Sequence, residues 1–391
     1  MPPAFELRTL CRNALRYGLV WGPAIQKGDR PLMQPNAARE QYGVQMLRAI
    51  AALAVVVHHA LEQSNGAKTA FSPDWLTTSG ASGVDIFFVI SGFIMLYTSF
   101  QPGRAPTSPA AFLIRRGTRI YPMYWICCLA MLATMAIGFM QHNRLKPAEI
   151  ATALALLPSA KLIINVSWTL IYEVYFYLVF ALTLKFRSAV TSAIVTTALI
   201  ALFGLVGGRL AKGEFQHFFA NPIPCEFALG LWIAVAFMRL GEGRRWPVPA
   251  VLALLGFCML SWAPLLVTHR DTAGLEGWPR VLAWGLPSAL IVAASLSIAA
   301  PTHALQRLLV LLGDASYGLY LAHPFVMIGY ARMLHIAAVS QAPQTALIPV
   351  VVVISVIVGV AAHLTIEQPL LRSIRRWMRR DSRFPEIPVQ A

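Results

Sequence analysis

The chain has 391 residues, of which 57% are hydrophobic and 13% charged. Soluble globular proteins average roughly 45–50% apolar and about 25% charged, so the charged fraction is near half of normal. With 32 Lys and Arg against 17 Asp and Glu the net charge is +15. These values exclude a disordered chain, a soluble enzyme with an added tail and a nucleic-acid-binding domain working in water. The basic excess is therefore read first as membrane sidedness, because cytoplasmic loops of membrane proteins collect Lys and Arg.

Residues 1–43 lack a continuous apolar core and read as a cytoplasmic extension, not a signal peptide. A hydrocarbon core of about 30 Å needs roughly 20 apolar helical residues. Runs of that kind lie at 46–63, 83–100, 120–140, 168–185, 189–208, 222–239, 247–267, 280–300, 314–331 and 346–366. The segment 149–164 is shorter and holds Pro158 and Lys161, so it reads as re-entrant or interfacial. The expectation is an all-α polytopic membrane protein: a bundle of about ten transmembrane helices plus that one short segment. It occupies 44–371 and is followed by a basic cytoplasmic tail over 372–391.

Charge separates ten spans from eleven. Ten spans with both termini inside place 23 of the 32 Lys and Arg on the inner side and nine on the outer. A crossing at 149–164 would make the split 17 to 15. The positive-inside rule favours the first arrangement. Cys11, Cys127, Cys128, Cys225 and Cys258 show no metal-ligand spacing, and no phosphate-binding or dinucleotide glycine motif is present. No metal and no nucleic-acid partner are expected.

A charge at the bilayer centre costs about 2.5–3.5 kcal/mol on insertion scales, which makes each intramembrane ionisable residue a functional candidate. Arg48 and His59 in the first span are 11 residues apart. At about 100° per residue they share one helix face, separated by about 16 Å along the axis, while His58 points elsewhere. Asp85 and the Ser91–Gly92 pair sit in the second span. Arg116 and Arg119, at i and i+3, can act as neighbouring guanidinium forks for an anion, or as membrane anchors beside Tyr121, Tyr124 and Trp125. Glu173 lies one to two turns beyond Trp168, and a carboxylate there could orient His59 as a base. Glu226, His323, His363 and Glu367 complete the intramembrane set.

These blocks in order resemble the acyltransferase 3 family, especially its exopolysaccharide O-acetyltransferase branch. The resemblance rests on Arg48 with His59 in LRAIAALAVVVHH, on GVDIFFVISGF, on Arg116 and Arg119 in RGTRIYP, on WTLIYEVYFY, and on SYGLYLAHPF followed by IEQPL. It implies transfer of an acyl group, usually acetyl, from cytoplasmic acetyl-CoA or another acyl-CoA to a glycan hydroxyl. His59 then corresponds to the essential histidine, Arg48 to its paired arginine, and Arg116 with Arg119 to the pair linked to acyl-CoA. Glu173 and Asp85 are candidate orienting acids, and Ser91, Gly92, Trp168 and His323 are candidate substrate-binding residues. Where many members carry a double acid, this chain has Glu173–Val174. Expected partners are the bilayer, acyl-CoA, the glycan acceptor and other polysaccharide-biosynthesis proteins, at a bacterial inner membrane. Two alternatives stand beside this reading: acylation of a small hydroxylated metabolite such as a macrolide, and a proton-coupled transporter. A reporter fused after Ala391 should be cytoplasmic, and activity there of a reporter that works only in the periplasm would overturn the topology.

Overall fold

The computed structural model describes residues 41–380 apart from 68–71, 102, 104, 139–144, 241–248, 263–274, 337, 338, 340 and 341. The expected extension over 1–43 lies outside these residues except at its last three positions, as does the end of the tail. Every regular element among the described residues is helical. Seven helices among these residues are long and apolar enough to cross a membrane.

The first is α1, Tyr42–Ala67. After a short α2, Asp74–Ser79, and one 3-10 turn comes α3, Gly83–Ser99. The long α4, Pro109–Ala136, starts earlier than expected because Ser108 caps it, accepting from the Ala111 amide, and Pro109 fills the first position. Then follow α5, Pro147–Leu154, α6, Trp168–Thr183, α7, Ala189–Leu210, α8, Glu214–Ala220, and α9, Pro224–Leu240. Three of the ten expected spans fall outside the seven. One is α10, Pro249–Trp262, which has 14 described residues. The next is α11, Gly277–Arg280, joined through a π turn at Val281–Gly285 to α12, Leu286–Ser295. The third is Ser316–Met333, here α14, where tyrosines, His323 and Arg332 dilute the apolar run. Before it lies α13, Ala304–Asp314. Last come α15, Gln344–Ala362, a π turn at His363–Glu367 and α16, Gln368–Arg380, so the expected last span and the basic segment after it form one helix.

The segment 149–164 does not form a spanning helix. Only eight residues are helical in α5, a rise of about 12 Å. Its last carbonyls, which an isolated helix would leave unsatisfied, are met by the aromatic side chains of α4. Tyr124 donates to the Ala153 carbonyl at 2.7 Å, Trp125 to Leu154 at 3.0 Å and Tyr121 to Ala155 at 3.2 Å. At the other end Glu149 accepts from the Lys146 amide and pairs with Lys161 at 3.3 Å. The Lys146 amide is the main cause holding the Glu149 carboxyl below the usual carboxylate range.

Outward faces are apolar. Leu202, Leu205 and Leu210 on α7 and Val353 and Ile357 on α15 are all at least half exposed, as a lipid-facing surface requires. Inside, α3 and α9 approach backbone to backbone. A Cβ on Gly92 would lie 2.0 Å from the Phe227 carbonyl oxygen, and one on Gly230 would lie 2.1 Å from that of Val89. Gly92, expected near substrate, instead sits in this helix contact, where small residues permit close packing. Gly92→Ala should therefore cost about 1–3 kcal/mol or more through overpacking, seen as a lower melting temperature of the detergent-purified protein.

Candidate active site

Arg48 and His59 both turn toward α14. The Arg48 guanidinium donates to Ser316 Oγ at 2.9 Å and to Gln45 Oε1 at 3.3 Å. The His59 ring stacks on His323, with centroids 5.3 Å apart and an interplanar angle of 22°. Position 48 meets 316 and position 59 meets 323, so the two helices run parallel.

Around the Arg48 end a cavity opens. It is lined by Arg48, Ser91, Arg116, Arg119, Glu173 and the rings of Tyr177, Tyr317 and Tyr320, with an apolar wall that includes Phe87, Phe88, Ile94 and Met95. Three guanidiniums thus face one carboxylate. Glu173 accepts from Ser91 Oγ at 3.3 Å and from the Tyr177 hydroxyl in a short contact. The Arg116 guanidinium lies over the Phe112 and Tyr177 rings at 5.7 and 6.0 Å. Five of the residues singled out by sequence, Arg48, Ser91, Arg116, Arg119 and Glu173, come together here. Tyr121, Tyr124 and Trp125, the aromatic part of the alternative anchoring reading, are taken up by α5.

The expected contact between His59 and Glu173 is not made. His59 Nδ1 is 3.0 Å from Glu62 Oε2, three residues along the same helix, while Glu173 stays in the cavity with its hydroxyl donors. Glu62 was readable as an acid one turn from His59, and it is missed when attention stays on acids deep in the spans. His58 is more buried than His59 and its Nδ1 bonds the Thr77 carbonyl, because α2 covers that face of α1. His58, His59 and Glu62 each bring a potential ligand atom within 4.8 Å of the others. His323 is fully buried, with Nδ1 on the Leu319 carbonyl at 3.2 Å.

Asp85 and Trp168 stand apart from both groups. Asp85 is fully buried and holds Arg280 in a bidentate pair, Oδ1 to Nε at 3.0 Å and Oδ2 to Nη2 at 2.9 Å. The guanidinium also lies over Trp168 at 5.5 Å and Trp284 at 5.0 Å. Arg280 is the first residue of the run 280–300 expected to span. The structure buries it and gives Asp85 a partner other than His59. Glu226 is buried nearby, and neither of its carboxyl oxygens meets a donor among the described residues. His363 and Glu367 pair at 2.9 Å across the second π turn. The described cysteines are free.

The described residues thus form a helical membrane bundle with a cationic cavity at one end of the Arg48–His59 face and a histidine–carboxylate pair at the other. Residues 41–364 match a family model described as an acyltransferase domain. The chain belongs to this family, acyltransferase 3, and is a multi-pass membrane O-acyltransferase. It is 32% identical over 307 residues to the exopolysaccharide production protein ExoZ of Rhizobium meliloti, covering 75% of this chain and 90% of that protein. It is 25% identical to the acyltransferase MdmB of Streptomyces mycarofaciens, covering 84% and 91%. It is also 24% identical to a putative acetyltransferase, ORF330, of Acidianus two-tailed virus, covering 72% and 81%. No solved structure matches the chain.

The Asp85 placement has a consequence that activity alone would not reveal. Asp85→Ala leaves a buried guanidinium unpaired and should cost about 3–5 kcal/mol of stability. The double variant Asp85→Leu with Arg280→Met should recover most of the melting temperature. A stable but inactive Asp85→Ala would return Asp85 to the chemistry.

Proposed function

We propose that this protein moves an acetyl or related acyl group from cytoplasmic acyl-CoA to a hydroxyl of an exported or cell-surface polysaccharide, or of its lipid-linked precursor. The observation that carries the donor is the convergence of Arg48, Arg116 and Arg119 on one cavity with a single facing carboxylate. Guanidinium forks are the preferred partners of phosphate oxygens, and CoA presents several. The likeness to ExoZ, named for exopolysaccharide production, supports a glycan acceptor.

The chemistry follows from His59 with Glu62. A carboxylate on Nδ1 fixes the tautomer and leaves Nε2 as the base. His59 takes the proton of the acceptor hydroxyl, and that oxygen attacks the thioester carbonyl. A C–O bond forms, the C–S bond breaks, and the imidazolium returns the proton to the departing thiolate. The products are the ester and free CoA. Glu173, held by Ser91 and Tyr177, balances part of the guanidinium charge in the cavity. His323 supports the His59 ring from below.

For topology we infer both termini on the cytoplasmic side of a bacterial inner membrane. The parallel course of α1 and α14 supports both termini lying on one side, because it needs an odd number of crossings between them, and the sidedness of Lys and Arg makes that side the cytoplasmic one. The expected set has seven, and a crossing at 149–164 would make the number even.

The test is transfer of label from radiolabelled acetyl-CoA to candidate acceptors by the reconstituted protein. His59→Ala should lower transfer at least about 100-fold, the usual contribution of a general base. His58→Ala should lose stability while each folded molecule keeps most of its turnover. Arg116→Ala should weaken acyl-CoA binding roughly 10- to 100-fold, as expected for loss of a charge-assisted contact. Flux of label across the vesicle without acceptor modification would favour a transporter.

A further inference from the structure

The cavity and the histidine pair are linked through the Tyr320 ring, against which Phe87 packs. Phe87 and Tyr320 line the cavity, whereas His59 and His323 do not. The Tyr320 ring is 5.9 Å from His323, and His323 is 5.3 Å from His59. Phe87 meets Tyr320 edge to face at 6.4 Å. If the donor sits in the cavity and the hydroxyl is activated at His59, the thioester must pass these two rings.

The two rings are held very differently. The Tyr320 hydroxyl is fixed by the Val166 carbonyl and by Thr169 Oγ1, both at 2.8 Å. Rotating it away breaks two buried hydrogen bonds. Phe87 has no polar atom, is only half-buried, and leans on the apolar cluster that contains Ala52, Val56 and Leu319. Its neighbour Phe88 also lines the cavity, but it is buried among Trp168, Tyr172 and Phe227.

We propose that Phe87, working against the fixed Tyr320, determines which acyl groups reach His59, so that its ring limits the length of the chain transferred. This rests on the acyl-CoA reading and adds to it the residue that sets donor choice. The transfer step is unchanged: the hydroxyl oxygen bonds the acyl carbon, the C–S bond breaks, and the proton passes by way of His59 to the thiolate. What Phe87 decides is how much alkyl chain can pass the wall ahead of the carbonyl. One methylene in an apolar site is worth about 10- to 200-fold in discrimination, so a whole ring leaves ample scope for a change.

The experiment compares acetyl-, butyryl- and hexanoyl-CoA as donors to one acceptor, with reconstituted protein and its Phe87→Ala, Phe87→Leu and Phe87→Trp variants. Phe87→Ala should raise kcat/KM for butyryl-CoA relative to acetyl-CoA at least tenfold, with Phe87→Leu intermediate. Phe87→Trp should shift the ratio toward acetyl-CoA. If Phe87→Ala fails to fold, the opposite shifts of the Leu and Trp variants carry the test. An equal change for all three donors, or an unchanged ratio across the variants, overturns the proposal while leaving the acyl-CoA reading intact. No transfer from any donor by the unsubstituted protein overturns that reading, and Phe87 with it.

Discussion

The arrangement depends on one contact surface, the face of α1 that carries both Arg48 and His59 and lies along α14. Helical geometry alone puts the two residues in line, about 16 Å apart. The meeting with α14 gives that line its meaning, because Ser316 receives the guanidinium at one end and His323 receives the imidazole at the other. The Ser316, Tyr317 and Tyr320 stretch of α14 then forms part of the cavity wall. Rotate α1 by a quarter turn and the cationic cavity loses Arg48 while the histidine pair comes apart.

A second constraint is that charge inside a bilayer must find a partner. The protein meets it in two ways. Asp85 and Arg280 close on each other with two hydrogen bonds and two flanking indoles. The three cavity arginines have only Glu173 among the residues that face them there, so the cavity retains an excess of positive charge. A buried pair completed within the protein is architecture. An incomplete one leaves net positive charge facing the cavity.

The backbone obeys a related rule, since unsatisfied amides and carbonyls are as costly in hydrocarbon as side-chain polar groups. The short α5 can sit beside α4 because Tyr121, Tyr124 and Trp125 supply donors for its open carbonyls. The same residues that look like an interfacial aromatic belt in the sequence are used as caps. The two π turns also coincide with buried ionisable groups, Arg280 at the edge of one and the His363–Glu367 pair within the other.

The sequence by itself determined the helical membrane class, the short non-spanning segment, and the shared face of Arg48 and His59. Those follow from hydrophobic run length, sidedness of charge and helical period, all of which are local. It also marked Glu173 and Ser91, because polar residues in apolar runs are conspicuous, and Arg116 with Arg119, because their i, i+3 spacing places them side by side on a helix. Only the tertiary structure decided which partners they take. Glu62 rather than Glu173 holds His59, Arg280 takes Asp85, and the α9 backbone fills the notch at Gly92. Pairing depends on which helices are neighbours and at what depth, and Phe87 and Tyr320 gain their place between cavity and histidines only from that packing. Helical period says where a side chain points, but it cannot say what stands opposite.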